Sequence, residues 1–329
     1  MQQKPNLYPL LFQEVYKTKL WGGDKIYQYK GKEAPEKHIG ETWEVSPIEG
    51  SASVIANGPL RGKTLIDITT EYGSSLLGDE VYRHFGGAFP LLVKLIHSEQ
   101  DLSVQVHPSN DFAQKLEQAS GKCEMWYLLH HTPEAVIHMG WKNAMTPDQL
   151  RGLLTTDTLM QYIENYPSKV GDTYYIPPGT VHTIGAGNLL LEIQQASDIT
   201  YRLYDFNRVD DTGKKRELHV DKALEVINYL PDHSGPIPYD TTIQDSPITL
   251  IQCPYFTTRL LQLTKEYHLD ATHRHSFTLL FIEKGTLILN DELKLTQGQT
   301  VLLPACLHHT TLTPSPTAKV IETYIEPQE

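Results

Sequence analysis

One spacing occurs twice in the chain. Gly171-Asp-Thr-Tyr-Tyr-Ile-Pro177-Pro-Gly-Thr-Val-His182 and Gly298-Gln-Thr-Val-Leu-Leu-Pro304-Ala-Cys-Leu-His-His309 both run glycine, five residues, proline, four residues, histidine. The glycine supplies a turn and the following apolar and β-branched run a strand. The proline bends the chain, and a second strand then points its histidine into a barrel. The copies lie 127 residues apart, too far for a solenoid repeat, so duplicated barrels fit better. Much of the remaining chain agrees. FPLLVKLI (89–96), LSVQVH (102–107), EMWYLL (124–129), DTYYIP (172–177) and LLLEIQQ (189–195) are short and rich in aliphatic, β-branched and aromatic residues. Gly, Pro, Asn or Asp separates many of them.

The expected fold is therefore mainly β, with two jelly-roll-like β-barrels and a small helical insert in the first. At 329 residues the length suits about two domains. The stretch 230–247, with four prolines and little apolar periodicity, reads as a linker. It divides the chain into 1–234 and 235–329. Helical signal is local. Thr146-Pro147-Asp148-Gln149 combines an N-cap, a proline at the first helical position and a capping glutamine. Leu150, Leu153 and Leu154 follow at helical spacing, and a second helix is expected over 160–165, so the insert covers about 146–165. Residues 111–119 and 220–229 are further helix candidates.

Charge and cysteine content narrow the partners. A net charge of −12 argues against nucleic acid. No run of about 18 apolar residues is present to cross a membrane. The first twenty residues show no apolar segment ending in small residues, as a signal peptide would. Cys123, Cys253 and Cys306 form an odd set without CxxC, which suits the cytoplasm better than a disulfide framework. No oligomeric state follows from the sequence.

The duplicated spacing resembles the second motif of the cupin superfamily, a small β-barrel whose lumen often holds a metal. In Ser103-Val-Gln-Val-His-Pro108, Gln105 and His107 are two apart and share one strand face. Glu124 opens a later strand, and His182 ends the first copy of the repeat. Together they offer two imidazoles, a carboxylate and an amide oxygen, a set suited to zinc or another divalent first-row ion. The plain alternative is a solvated polar strand face.

SVQVHP, GKCEMWY and PPGTVHTIGAGNLLLEIQQASDITYRLYDFNR, with the early WGG and GETWEVS segments, make the resemblance specific. The chain resembles type I mannose-6-phosphate isomerases of the short bacterial form over most of 10–230, and more loosely beyond. The resemblance implies one zinc per chain, held by Gln105, His107, Glu124 and His182. It also implies that Trp21, Glu41, Ser103 and Arg208 bind substrate, and that Lys122, Glu192, Asp198 and Arg202 serve catalysis. The implied reaction interconverts mannose 6-phosphate and fructose 6-phosphate by proton transfer through an enediol. Each residue also has a plain reading. Trp21 could be ordinary packing, Glu41 and Lys122 surface charges, Asp198 a turn cap, and Arg202 a solvent-facing strand residue. A dianionic substrate meeting so acidic a chain needs a local cationic cluster, expected at Lys122, Arg202 and Arg208.

The second half offers His273-Arg-His275 and His309, a three-histidine pattern that an oxidative cupin would load with iron. The glutamate that usually follows HxH is missing, and Cys306 replaces the glycine of the turn. A vestigial second barrel is the favoured expectation. A non-catalytic sugar-binding cupin is the other rival.

Overall fold

The computed structural model describes residues 6–210 and 212–326. It is mainly β, with three antiparallel sheets. In the first, strands run in the order Val15–Gly23, Ile39–Val45, Leu91–Ser98, Asn188–Gln195, Glu124–His131, Thr173–Ile176. In the second the order is Tyr201–Tyr204, Val104–Val106, His182–Ile184, Val136–Trp141, Ile163–Pro167. These two face each other across a core of Trp21, Ile96, Trp126, Leu128, Met139 and Ile184. The third sheet is built around the long strands Thr278–Leu289 and His309–Tyr324.

The expected mainly β character holds, but among the described residues no ladder closes into a ring, so the architecture is one of open sheets. The first two sheets share no strand and meet through side chains instead. The third borrows Leu10–Leu11, which pair with Leu302 and Val301. One large core continues from that N-terminal strand through the first sheet to Ile325.

Period-two alternation explains why the first sheet is apolar on both faces. Met125, Tyr127 and Leu129 enter the large core, while Trp126 and Leu128 enter the core between the two facing sheets. Leu189, Leu191 and Ile193 repeat the outward set. The inward set of these strands therefore includes Lys94, Glu124 and Glu192, each at most 3 % exposed. Charged groups buried on an otherwise apolar face demand partners, and they meet one another there.

The insert begins as expected. Thr146 caps Pro147–Leu153, and both bonds of the capping box form, Gln149 N to Thr146 Oγ1 at 3.2 Å and Thr146 N to Gln149 Oε1 at 2.8 Å. The expected helix over 160–165 does not form. A short 3-10 turn, Leu159–Tyr162, leads into the edge strand Ile163–Pro167. Ile163 and Tyr166 pack into cores on opposite sides, an alternation only a strand provides, and Pro167 ends it. Helices Asn110–Glu117 and Val220–Val226 match expectation. A helical run not read from the sequence, Leu65–Tyr72, Ser74–Leu77 and Asp79–His84, docks on the third sheet. Gly78 permits this, because a Cβ there would lie 2.0 Å from the His275 carbonyl oxygen. The proline-rich 230–247 stretch is a strap held against the first sheet. Ile237 N donates to Thr173 O at 2.8 Å and Tyr239 OH to Gly171 O at 2.7 Å.

Candidate metal centre and substrate cavity

Cross-strand register brings the donors together. In the second sheet Gln105 stands opposite both His182 and Arg202, so the three project from one face. In the first sheet Glu192 stands opposite Lys94 and Trp126. Gly121 lets the segment that leads into Glu124 touch the one that follows His107, since a Cβ there would lie 2.5 Å from Asn110 N. The result is a buried group of His107, Glu124 and His182 whose donor atoms all lie within 4.8 Å of one another. Among the described residues it is the one such His, Cys, Asp and Glu group compact enough for a metal ion.

The donors fit a divalent cation. His107 Nδ1 donates to the Ile199 carbonyl at 2.9 Å and His182 Nδ1 to the Thr180 carbonyl at 2.8 Å. Each Nε2 lone pair is thereby left for a ligand, the backbone fixing the tautomer. Both Glu124 oxygens are buried; Oε2 faces the Lys122 ammonium, and Oε1 accepts no hydrogen bond. His107 Nε2 to Glu124 Oε2 is 3.6 Å, His182 Nε2 to Glu124 Oε1 is 3.3 Å, and Gln105 Nε2 to His182 Nε2 is 3.3 Å. Donors at zinc–nitrogen and zinc–oxygen distance in a tetrahedron stand about 3.4 Å apart, close to these values. A half-turn of the Gln105 amide puts its oxygen in place of its nitrogen.

Electrostatics agree. Burial and the nearby Lys122 and His182 push His107 well below the usual histidine range, and burial lowers His182 to about 4, so both rings are neutral ligands. Burial and the charge of Glu192 raise Glu124 to about 7, against the pull of Lys122. A cation on this carboxylate relieves that cost. The Lys122 ammonium lies 2.7 Å from Glu124 Oε2, 3.2 Å from His107 Nε2 and 3.9 Å from Glu192 Oε1.

Above the donors lies a cavity of about 360 Å³. It brings together Trp21, Glu41, Ser103, Gln105, Lys122, Glu192, Asp198 and Arg202. Arg202 Nε donates to Ser103 Oγ at 3.2 Å and its Nη1 to the Glu217 carbonyl at 2.8 Å. Glu192 Oε2 accepts Trp126 Nε1 at 2.9 Å, and against burial Lys122 and Lys94 hold its carboxyl low. Glu41 accepts Trp43 Nε1 at 2.7 Å. Its pKa falls to about 2 although burial opposes this, because Lys94 and Lys19 face it. Asp198, 59 % exposed, sits 3.9 Å from Lys94. Arg208 is not in the wall. Its guanidinium is turned to Asp205, at 2.5 Å, and to the Asp101 carbonyl. Arg216 stands in the wall instead.

Lys94 was not singled out from the sequence. It is 3 % exposed and lies 3.3 Å from Glu192 Oε1, and these acids hold its ammonium charged against burial. The signal was there in FPLLVKLI, a lysine in a strand too apolar to have a solvent face. Lys19, Arg216 and His219 carried no such signal. With these included, the wall has five lysine and arginine side chains against three carboxylates.

His97 lies beneath the WGG segment, where a Cβ on Gly23 would come within 2.4 Å of its ring. Burial lowers it to about 4, with Asp24 raising and Lys25 and His130 lowering it, and Glu99 stands at 3.6 Å. The unfolded chain protonates this ring near its ordinary value of 6.5, the folded chain only near 4. Its contribution to stability is thus complete above the higher value and lost as pH falls toward the lower one. Urea midpoints measured from pH 7 to 4 should fall with acid, and less steeply in His97→Gln. Identical slopes would show that His97 is not protected.

Among the described residues the histidines of the second copy form no compact donor group. His309 pairs with Asp270 at the head of its strand, while Thr310 and Leu312 are buried, so the one-residue offset turns His309 outward. Its side chain is 76 % exposed, and His273 and His275 are exposed as well. Buried Glu322 instead binds Arg259 at 2.7 Å and Arg274 at 2.5 Å.

Comparison with known proteins gives the family. The family described as phosphomannose isomerase type I, catalytic domain, matches residues 10–146. The mannose-6-phosphate isomerase ManA of Bacillus subtilis is 39% identical over 256 residues, 76% of this chain and 78% of the relative. The mannose-6-phosphate isomerase of Streptococcus mutans is 32% identical over 298 residues, 90% of this chain and 92% of the relative. A crystal structure of the Bacillus subtilis mannose 6-phosphate isomerase superposes with a TM-score of 0.85 at 32% identity, covering 96% of this chain and 99% of that one. Identity at this level across most of both sequences, with the same fold, makes the chain a member of the type I phosphomannose isomerase family.

Proposed function

We propose that the protein is a metal-dependent isomerase that interconverts mannose 6-phosphate and fructose 6-phosphate. The observation that carries the reading is the buried His107, Glu124 and His182 group directly beneath a cavity with surplus positive charge. The names of its relatives supply the sugar. Gln105, His107, Glu124 and His182 would hold the ion, and we take it to be zinc from the mixed nitrogen and oxygen donors. When bound, such an ion supplies Lewis acidity toward substrate oxygens.

The remaining work falls to the chain's own side chains. A proton leaves C2 of the aldose and returns to C1, while the hydroxyl proton on O2 is lost and O1 gains one. Lys122 and Glu192, 3.9 Å apart, are the groups placed to hold a proton between these positions. Asp198 orients the Lys94 ammonium at the rim. Arg202, a permanent cation fixed by Ser103 and Glu217, faces the anionic end of the substrate. Trp21 and Glu41 shape the opposite wall. Arg208 acts at one remove, through Asp205.

Every cavity residue lies in 1–234, which we take as the catalytic unit, its facing sheets a jelly-roll-like pair. We assign 235–329 a supporting role. Among the described residues no helix is long and apolar enough to cross a membrane, and the three cysteines are unpaired. On this basis we place the protein in the cytoplasm.

Metal analysis and a coupled isomerase assay test the reading together. The purified protein should carry about one divalent ion per chain and convert mannose 6-phosphate to fructose 6-phosphate. Chelation should abolish turnover and added zinc restore it. Sugar-phosphate binding without turnover in the metal-loaded protein would reject the isomerase reading.

A further inference from the structure

Three guanidinium groups, those of Arg202, Arg208 and Arg216, gather around one buried carboxylate, Asp205. Their engagements differ. Arg208 uses all three of its nitrogens internally: Nη2 on Asp205 Oδ1 at 2.5 Å, Nε on the Asp205 carbonyl at 3.4 Å, and Nη1 on the Asp101 carbonyl. Each of its nitrogens is engaged, and the residue does not line the cavity. Arg216 grips the same carboxylate through Nε, 2.7 Å from Oδ2, and through Nη2 to Oδ1. Among the described residues its Nη1 makes no hydrogen bond, and the residue stands in the cavity wall. Arg202 is fixed through Nε and Nη1, and its Nη2 is likewise unengaged beside the same cavity.

Charge points the same way. Asp205 neutralises one of the three cations and the exposed Glu217 can offset a second, leaving one positive charge unbalanced. The guanidinium groups repel one another, since Arg216 and Arg208 both lower the proton affinity of Arg202. An anion placed between the free edges of Arg202 and Arg216 removes that repulsion. Guanidinium edges match the oxygens of a phosphate monoester, and side chains already braced lose little freedom on binding it.

We infer that Arg216, braced by Asp205, is the second anchor of the substrate phosphate, acting with Arg202. The inference rests on the isomerase reading above for the sugar, but not for the anion. In this arrangement Asp205 is a positioning residue, and Arg208 supports it from behind.

The test compares wild type, Arg216→Gln and Arg216→Lys. Steady-state kinetics with mannose 6-phosphate give kcat and KM, and calorimetry gives the affinity for inorganic phosphate. Arg216→Gln should raise KM and weaken phosphate binding together, each by about 10- to 100-fold, the range for losing a charge-assisted contact. Its kcat should stay within about threefold, because the contact is made alike in ground and transition states. Arg216→Lys keeps the charge and a partner for Asp205 but loses the fork, so its phosphate affinity should fall between the other two. If the glutamine variant melts early, the lysine variant decides, and wild-type phosphate affinity in it would overturn the proposal. Unchanged phosphate affinity in a folded Arg216→Gln would overturn it as well, as would a loss confined to kcat. A wild type that binds phosphate through Arg216 yet never turns over mannose 6-phosphate leaves the anchor standing and removes the isomerase reading.

Discussion

Replacing His107 by alanine should empty the metal centre and lower kcat/KM by at least about a thousandfold, the several kcal/mol that a Lewis-acidic ion supplies to a developing oxyanion. The reason is local. His107 is 1 % exposed, and its ring is aimed by the bond from Nδ1 to the Ile199 carbonyl. Among the described residues no other His, Cys or carboxylate joins Glu124 and His182 in a compact group, so none of them can substitute. Glu124→Gln should act similarly by removing the one anionic donor. His309→Ala, which alters the matching position of the second repeat, should keep both metal and turnover, because that ring faces solvent. Metal content by atomic spectroscopy and the coupled assay on the same preparations give the answer. A His107→Ala protein that retains its ion and its turnover would place the centre elsewhere and sink the proposed function.

The second large effect concerns stability. Lys94→Met removes the central cation between Glu192, 3.3 Å away, and Glu41, whose proton affinity Lys94 does most to lower. Breaking a buried pair from one side costs about 3–5 kcal/mol, because the other charge stays buried without its partner. Lys122 at 3.9 Å from Glu192 and Lys19 at 3.1 Å from Glu41 recover part of this, so the low end is expected. For a chain of 329 residues that corresponds to a fall in Tm of roughly 4–5 °C.

The sign with pH follows from Glu41. Its carboxyl titrates near 2 in the folded protein and near 4.5 when unfolded, so its stabilisation is present above the higher value and lost on acidification. Lys94→Met forfeits much of that stabilisation at neutral pH. The wild-type and variant melting curves should therefore converge as pH falls below about 5. A gap that stays constant with pH would mean that Lys94 matters for packing, not for charge. Adding Glu192→Gln to Lys94→Met should restore part of the lost Tm.

The amino-acid sequence alone determined the strand content, the family, and the candidate donors to test for a metal. Each of these depends on local order: apolar alternation, turn residues, and the fixed spacing around Gln105, His107, Glu124 and His182. The capping box at Thr146 belongs to the same class, since its bonds span three residues. Tertiary structure decided what depends on register and burial between distant strands. Whether His182 faces inward and His309 outward turns on one residue of offset in strands that look alike. Lys94 entered the cavity because Glu192 stands opposite it across a ladder between segments nearly a hundred residues apart. Arg208 left the wall and Arg216 took a place in it because Asp205 claimed the nearer guanidinium from behind, a competition among three like charges that no spacing along the chain records.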